Sequence, residues 1–257
     1  MNSYFFAQTL KAIPCWGLNC YACPVAVFSC PIGTLQHFAV LHKVPFYVLG
    51  VLGVAGALGG RMSCGWLCPF GFLQDLLYKV KIPKWPLRVG RVGWLRYVFL
   101  AALVFIVPYV TLVPWFSKLC PMGTLQGGIP VVLSTPELRA QIGWLYFLKI
   151  GILVAFLAWM LVTKRPFCRY ICPLGAIWSP FNRVSMIRLV VDHELCSRCD
   201  RCRQVCPVNI SVYESPNADQ CIRCLECIGV CSHGAVAIKL DIAGAPDVVM
   251  PSRTGSG

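Results

Sequence analysis

Cysteine sets the chemistry open to this chain, which has seventeen of them in 257 residues. Eight fall between positions 196 and 231. Cys196, Cys199, Cys202 and Cys206, the last followed by Pro207, have the spacing C-x2-C-x2-C-x3-C-P, and Cys221, Cys224, Cys227 and Cys231 repeat it without the proline. Three thiolates on a tight loop can each take a different iron of one cubane, while the fourth, carried onto a helical turn, faces the neighbouring cubane. The ligand sets are therefore expected to cross. Cys196, Cys199, Cys202 and Cys231 would hold one 4Fe–4S cluster, and Cys206, Cys221, Cys224 and Cys227 a second. Structural zinc sites draw four ligands from two pairs, a pattern that runs of three cysteines fit poorly. So short a segment has little apolar core, and its clusters would tie its hairpins and helices together.

A second pattern is a duplication. Cys30-Pro31-Ile32-Gly33-Thr34-Leu35-Gln36 recurs as Cys120-Pro121-Met122-Gly123-Thr124-Leu125-Gln126, and each copy is followed by an apolar stretch and then C-x3-C-P-x-G, at Cys64–Gly71 and Cys168–Gly175. Cysteines at i and i+4 share one face of a helical turn. Cys64 and Cys68 could thus meet Cys168 and Cys172 in a four-thiolate inner site. Cys30 and Cys120 lack two ligands for a cubane of their own; Cys20 and Cys23 could supply them in an outer site, with Cys15 as alternate or spare.

These cysteines belong to an apolar chain. Hydrophobic residues make up 57%, charged residues 13%, and the mean hydropathy is +0.67. A bilayer is expected as part of the solvent. The C-x-x-C and C-x3-C-P spacings favour metal ligation in a reducing compartment over a secreted disulfide framework. Net charge is +13, with seventeen basic residues but only Asp75 and Glu137 as acids before residue 190. Basic loops beside apolar spans signal topology, which sets nucleic-acid binding aside.

Three stretches read as spans, approximately Val44–Gly60, Trp94–Phe116 and Ile142–Val162. Phe38–Leu41 could extend the first, and Gly53, Gly56, Gly59 and Gly60 would let a neighbouring helix approach. Twelve basic residues flank one side of these spans and four (Lys11, Lys43, Lys118 and Arg139) the other, which places the 61–93 connection and everything after 163 in the cytoplasm and the N-terminus outside. No cleavable signal peptide is expected. The fold class is then an α-helical integral membrane domain over 1–189, with about three spanning helices in a duplicated unit. A small α+β dicluster ferredoxin domain over 190–241 and a flexible tail over 242–257 follow.

Cys64-Gly-Trp-Leu-Cys68-Pro-Phe-Gly, Cys168-Arg-Tyr-Ile-Cys172-Pro-Leu-Gly and the dicluster segment downstream resemble the membrane-bound polyferredoxins of the NapH, NosR and CcoG type. The resemblance implies a redox conduit between a membrane pool or external partner and the cytoplasmic side, within a larger complex at the inner membrane. NapH-type members are thought to oxidise quinol. His37 and His42 could bind a quinone, shuttle its protons, ligate haem, or simply sit satisfied at the interface. Lys149, inside the third span, could balance cluster charge, contact a quinol or snorkel outward. No bis-histidine pair, GxGxxG or phosphate loop is present, so neither haem nor flavin is expected. The reading is an electron wire of up to four clusters. The alternatives are a quinol dehydrogenase with its own quinone site, or an anchor subunit with only the ferredoxin clusters.

Overall fold

A computed structural model describes residues 30–81, 83–84, 93–134, 142–240 and 248–250. Cys15, Cys20 and Cys23 lie outside the described residues.

Two helical hairpins, one from each repeat, build the first half. Helix α1 (Pro31–Val40) runs from Cys30, and α2 (Phe46–Gly59) returns beside it. The predicted extension of the first span through Phe38–Leu41 is thus a separate antiparallel helix. His42, at φ 54°, and Pro45, which caps α2, break the helix between them. A one-turn α3 (Met62–Trp66) and α4 (Pro69–Tyr78) follow. Helix α5 (Leu95–Thr111) widens to π turns over Leu100–Ile106. Pro108 explains them, because it has no N–H for the carbonyl one turn back. The Gln36 amide donates to the Leu103 carbonyl in this widened stretch, at 3.3 Å.

The second repeat has α6 (Trp115–Leu119) and α7 (121–134), which begins with Pro121 behind the cap Cys120. Helix α8 (Trp144–Val162) then returns to α9 (Pro166–Tyr170) and α10 (Pro173–Trp178). Among the described residues α8 alone, at 19 residues, is long and apolar enough to cross a membrane; α2 and α5 are shorter apolar helices. Their outer faces are lipid-like, with Phe46, Val54, Val110, Trp144 and Phe147 exposed.

The cysteine-rich segment is bracketed by an antiparallel pair, β1 (Ile187–Val191) and β2 (Val236–Leu240), to which β3 (Val248–Met250) adds an edge. Two single-turn helices, α11 (Arg201–Val205) and α12 (Glu226–Gly229), lie between the strands. Leu189, Val191, Val212 and Val236 form its small core with Cys221 and Cys227, whereas Val208, Ile222, Cys206 and Cys224 pack into the core of the helical half.

The halves interlock through main-chain hydrogen bonds. Asn182 is fully buried; its Oδ1 accepts from Arg61 N at 3.0 Å, and its Nδ2 donates to Ala218 O at 2.9 Å and Cys221 O at 2.7 Å. Two of the predicted packing glycines admit the short 3₁₀ helix Pro180–Arg183 that carries this junction. A Cβ on Gly56 would lie 2.7 Å from the Phe181 ring, and one on Gly60, whose φ is +56°, 2.5 Å from Asn182 Oδ1. Asn182→Ala strands a buried amide and two carbonyls, each costing on the order of 1–3 kcal/mol. A lowered unfolding midpoint of the detergent-solubilised holoprotein, followed by loss of its visible absorbance, is expected.

Candidate iron–sulfur sites

In the ferredoxin-like segment the two crossed sets of cysteines occupy separate cavities. Cys196, Cys199, Cys202 and Cys231 line one, and Cys206, Cys221, Cys224 and Cys227 line the other. The backbone explains the shared form. In each half the residues on either side of the middle cysteine are left-handed: Arg198 at 52° and Asp200 at 61°, Arg223 at 51° and Leu225 at 66°. Such positions cost about 1–2 kcal/mol per residue. They shape each loop so that the Arg201 and Glu226 N–H groups reach the sulfurs of Cys199 and Cys224, which suits anionic sulfur.

Electrostatics point the same way. Burial pushes the thiols of Cys224 and Cys227 up, to about 11 and about 12, and the neighbouring Cys221 adds to both. Crowded, buried thiols hold their protons until a cation replaces them. Cys199 differs: it is exposed, and the Arg201 N–H and Ser197 hydroxyl hold it below the ordinary thiol value. Among the described residues no three Cys, His, Asp or Glu side chains are gathered tightly enough for a single metal ion.

In the helical half, all four C-P-x-G elements begin helices. Cys30, Cys68, Cys120 and Cys172 are N-caps in extended conformation, each followed by Pro at the first helical position. The Gly71 N–H donates to Cys68 Sγ at 3.4 Å. Thr34 and Thr124 hydroxyls donate back to the carbonyls of Cys30 and Cys120, both at 3.2 Å, so the T of the motif does the same work in each copy.

Cys68, Cys168 and Cys172 line one cavity together with Cys30 and Cys120. Cys64, itself buried, lies close enough to act electrostatically on Cys68, Cys168 and Cys172. The predicted four-thiolate inner grouping is therefore gathered in space. The predicted separation of Cys30 and Cys120 onto the opposite face is not. Each hairpin carries the chain away and back, so the motif at its start and the C-x3-C-P at its end meet at one level. Counting apolar residues does not reveal a hairpin.

Three groups at this site were not singled out from sequence. Gln74 Nε2 donates to Cys168 Sγ at 3.1 Å. Arg61 and Arg165, counted above as loop charges, are buried at 1% and 3% exposure. The signal that could have found them is R-x-x-C-x3-C-P-x-G, present in both copies. His42 meets the Tyr109 ring at 4.2 Å in an apolar cavity shared with Phe38 and Phe105, at the far end of α1. Exposed His37 and half-buried Lys149 line neither this cavity nor that of the cysteines.

The cysteine-lined cavities define an iron–sulfur protein, and comparison with known proteins agrees. Residues 44–96 and 145–188 match a family described as 4Fe-4S binding domain, each segment with one C-x3-C-P, and residues 189–210 match a second family of that description. An uncharacterized protein of Methanocaldococcus jannaschii is 31% identical over 221 residues, 82% of this chain and 86% of its own. The ferredoxin-type protein NapH of Escherichia coli is 29% identical over 229 residues, 81% of this chain and 73% of its own. The methylamine utilization ferredoxin-type protein MauN of Methylorubrum extorquens is 26% identical over 150 residues, 58% and 48%. No solved structure matches. The chain belongs to the membrane polyferredoxin family, proteins of iron–sulfur electron transfer.

Exposure separates the two cavities of the ferredoxin-like segment. A chelator with ferricyanide is expected to strip iron in two phases, the fast one of about four irons. Cys199→Ser should abolish the fast phase alone, as measured by released iron against time.

Proposed function

We propose that this chain carries electrons between a donor in or across the membrane and a cytoplasmic partner, through a column of 4Fe–4S sites. The first is held by Cys64, Cys68, Cys168 and Cys172. The next is held by Cys206, Cys221, Cys224 and Cys227, and the last by Cys196, Cys199, Cys202 and Cys231. The observation that carries this reading is the contact between the first two groups. A Cβ on Gly65, within the Cys64–Cys68 loop, would lie 2.6 Å from Ile222 O and 3.4 Å from the Cys224 Cα. The Trp66 indole N–H donates to Arg223 O at 3.1 Å. Electron tunnelling falls steeply with distance, so a junction without room for a methyl group suits transfer. Exposed Cys199 makes the third site the one that meets a soluble partner.

Helices α2, α5 and α8 are the proposed spans, about 21, 25 and 28 Å long at 1.5 Å per residue. The first two are short for a hydrocarbon core of about 30 Å and imply local thinning or snorkelling. The proposed domains are a membrane domain over 1–189 and a two-cluster domain over 190–241, but β1 begins the second at Ile187, and Val248–Met250, expected in a flexible tail over 242–257, pairs with β2 instead. The ferredoxin-like domain faces the cytoplasm of the inner membrane, since the basic residues around it outnumber those at the far end. Cys30 and Cys120, with Cys20 and Cys23, would form a fourth site beside the first and not across the bilayer from it. A donor that diffuses within the bilayer, such as quinol, is then favoured over an outer-side protein. The cavity at His42 and Tyr109 supports a second reading, in which the chain binds quinol itself and oxidises it.

Iron analysis tests the column. About twelve irons per chain are expected for three cubanes and about sixteen for four, whereas about eight would leave only the ferredoxin pair and make the chain an anchor. Cys64→Ser and Cys168→Ser should each lose the same cluster by electron paramagnetic resonance; loss of different clusters would sink the shared site. For the second reading, reduced quinone analogues should reduce the clusters of the wild type and do so at least tenfold more slowly in His42→Ala.

A further inference from the structure

We infer that Arg61 and Arg165 form a reciprocal clamp that holds the loops of the two repeats together and sets the reduction potentials of the two adjoining clusters. The inference rests on the reading of Cys64, Cys68, Cys168 and Cys172 as cluster ligands.

Each arginine stands three residues before the first cysteine of its own C-x3-C-P element and reaches across to the other. Arg165 Nη1 donates to Cys64 O at 2.8 Å, and Arg61 Nη2 donates to Cys168 O at 3.2 Å. The glycine that closes each motif makes room for the opposite guanidinium. A Cβ on Gly71 would lie 3.3 Å from Arg165 Nη1, and one on Gly175 only 2.8 Å from Arg61 Nη2. The four contacts repeat across the duplication.

Charge gives the clamp its second role. Arg165 is neutralised in part by Asp75, its Nε donating to Oδ1 at 2.8 Å. Among the described residues Arg61 has no such anion. Its donors go to the main-chain carbonyls of Asp219 at 3.1 Å and Gln220 at 3.2 Å besides Cys168, and its Nε meets no hydrogen-bond partner among them. A guanidinium withdrawn from water without a carboxylate is costly unless negative charge stands nearby. The field of Arg61 falls on Cys168 of the membrane cavity and Cys221 of the near ferredoxin set, and that of Arg165 on Cys168 and Cys224. Both arginines thus sit between the same two sites. A fixed positive charge beside a cluster stabilises its reduced, more negative state and raises its potential.

The test is a redox titration of the detergent-solubilised holoprotein, monitored by electron paramagnetic resonance, with iron counted on each sample. Arg61→Gln is expected to move the potentials of the two adjoining clusters to more negative values, leave the Cys199 cluster unmoved and keep the wild-type iron content. Arg61→Lys, which keeps the charge, should recover most of the shift. Asp75→Asn, whose side chain is 36% exposed in the wild type, frees the charge of Arg165 and should move the same two potentials the opposite way. Wild-type potentials in both Arg61→Gln and Asp75→Asn at full iron content would overturn the inference. Should Arg61→Gln load no iron, the sign of the Asp75→Asn shift decides. The underlying reading fails separately, if Cys64→Ser retains the full iron count.

Discussion

A sulfur ligand inside an apolar protein carries charge that neither lipid nor packed hydrocarbon can solvate, and the arrangement around these cysteines answers that constraint. The near ferredoxin set has Cys221 and Cys227 buried at 7% each, and the helical half has Cys64 at 7% and Cys168 at 5%. Donors compensate at increasing strength. Left-handed residues beside Cys199 and Cys224 aim peptide N–H groups inward, Gly71 and Gln74 donate to sulfur directly, and Arg61 and Arg165 bring whole charges.

Arg61 also helps to join the two halves of the molecule, with Arg223 and Lys164. Arg61 reaches the carbonyls of Asp219 and Gln220, Arg223 donates to Gly59 O at 3.1 Å and Asn182 O at 2.7 Å, and Lys164 donates to Val205 O at 3.0 Å. These bonds run to main chain, so they fix backbone against backbone. The ferredoxin-like segment is therefore seated on the helical half by hydrogen bonds and not by its tether alone.

How much of this could be read from sequence depends on the range of the interactions involved. The crossed sets at Cys196–Cys231 were legible because spacing within a loop fixes which thiols share a cavity. The meeting of Cys64 and Cys68 with Cys168 and Cys172 was legible through the duplication. The level of Cys30 and Cys120 was not, because the turn at His42–Pro45 lies inside what hydropathy counts as one apolar stretch. The arginines were misread for a related reason: charge counting assumes that Lys and Arg near a span are solvated, whereas Arg61, Arg96, Arg165 and Arg169 are all buried. With those four set aside, the remaining basic residues still lie mostly on the same side of the proposed spans.

Burial also falls in one direction from the cysteines of the helical half to those of the far ferredoxin set. Cys64 and Cys168 are enclosed by both repeats, Cys221 and Cys227 by the small core under the sheet, and Cys199 stands in solvent. A site closed to water holds its ligands against hydrolysis and oxidation, but it can exchange electrons only with neighbours already in contact. A site at the surface has the opposite properties. Under the proposed function, such an arrangement would let the buried end exchange electrons within the protein and the exposed end with a diffusing partner. The fourteen cysteines among the described residues are thus not equivalent in their surroundings, since burial separates one set from the next.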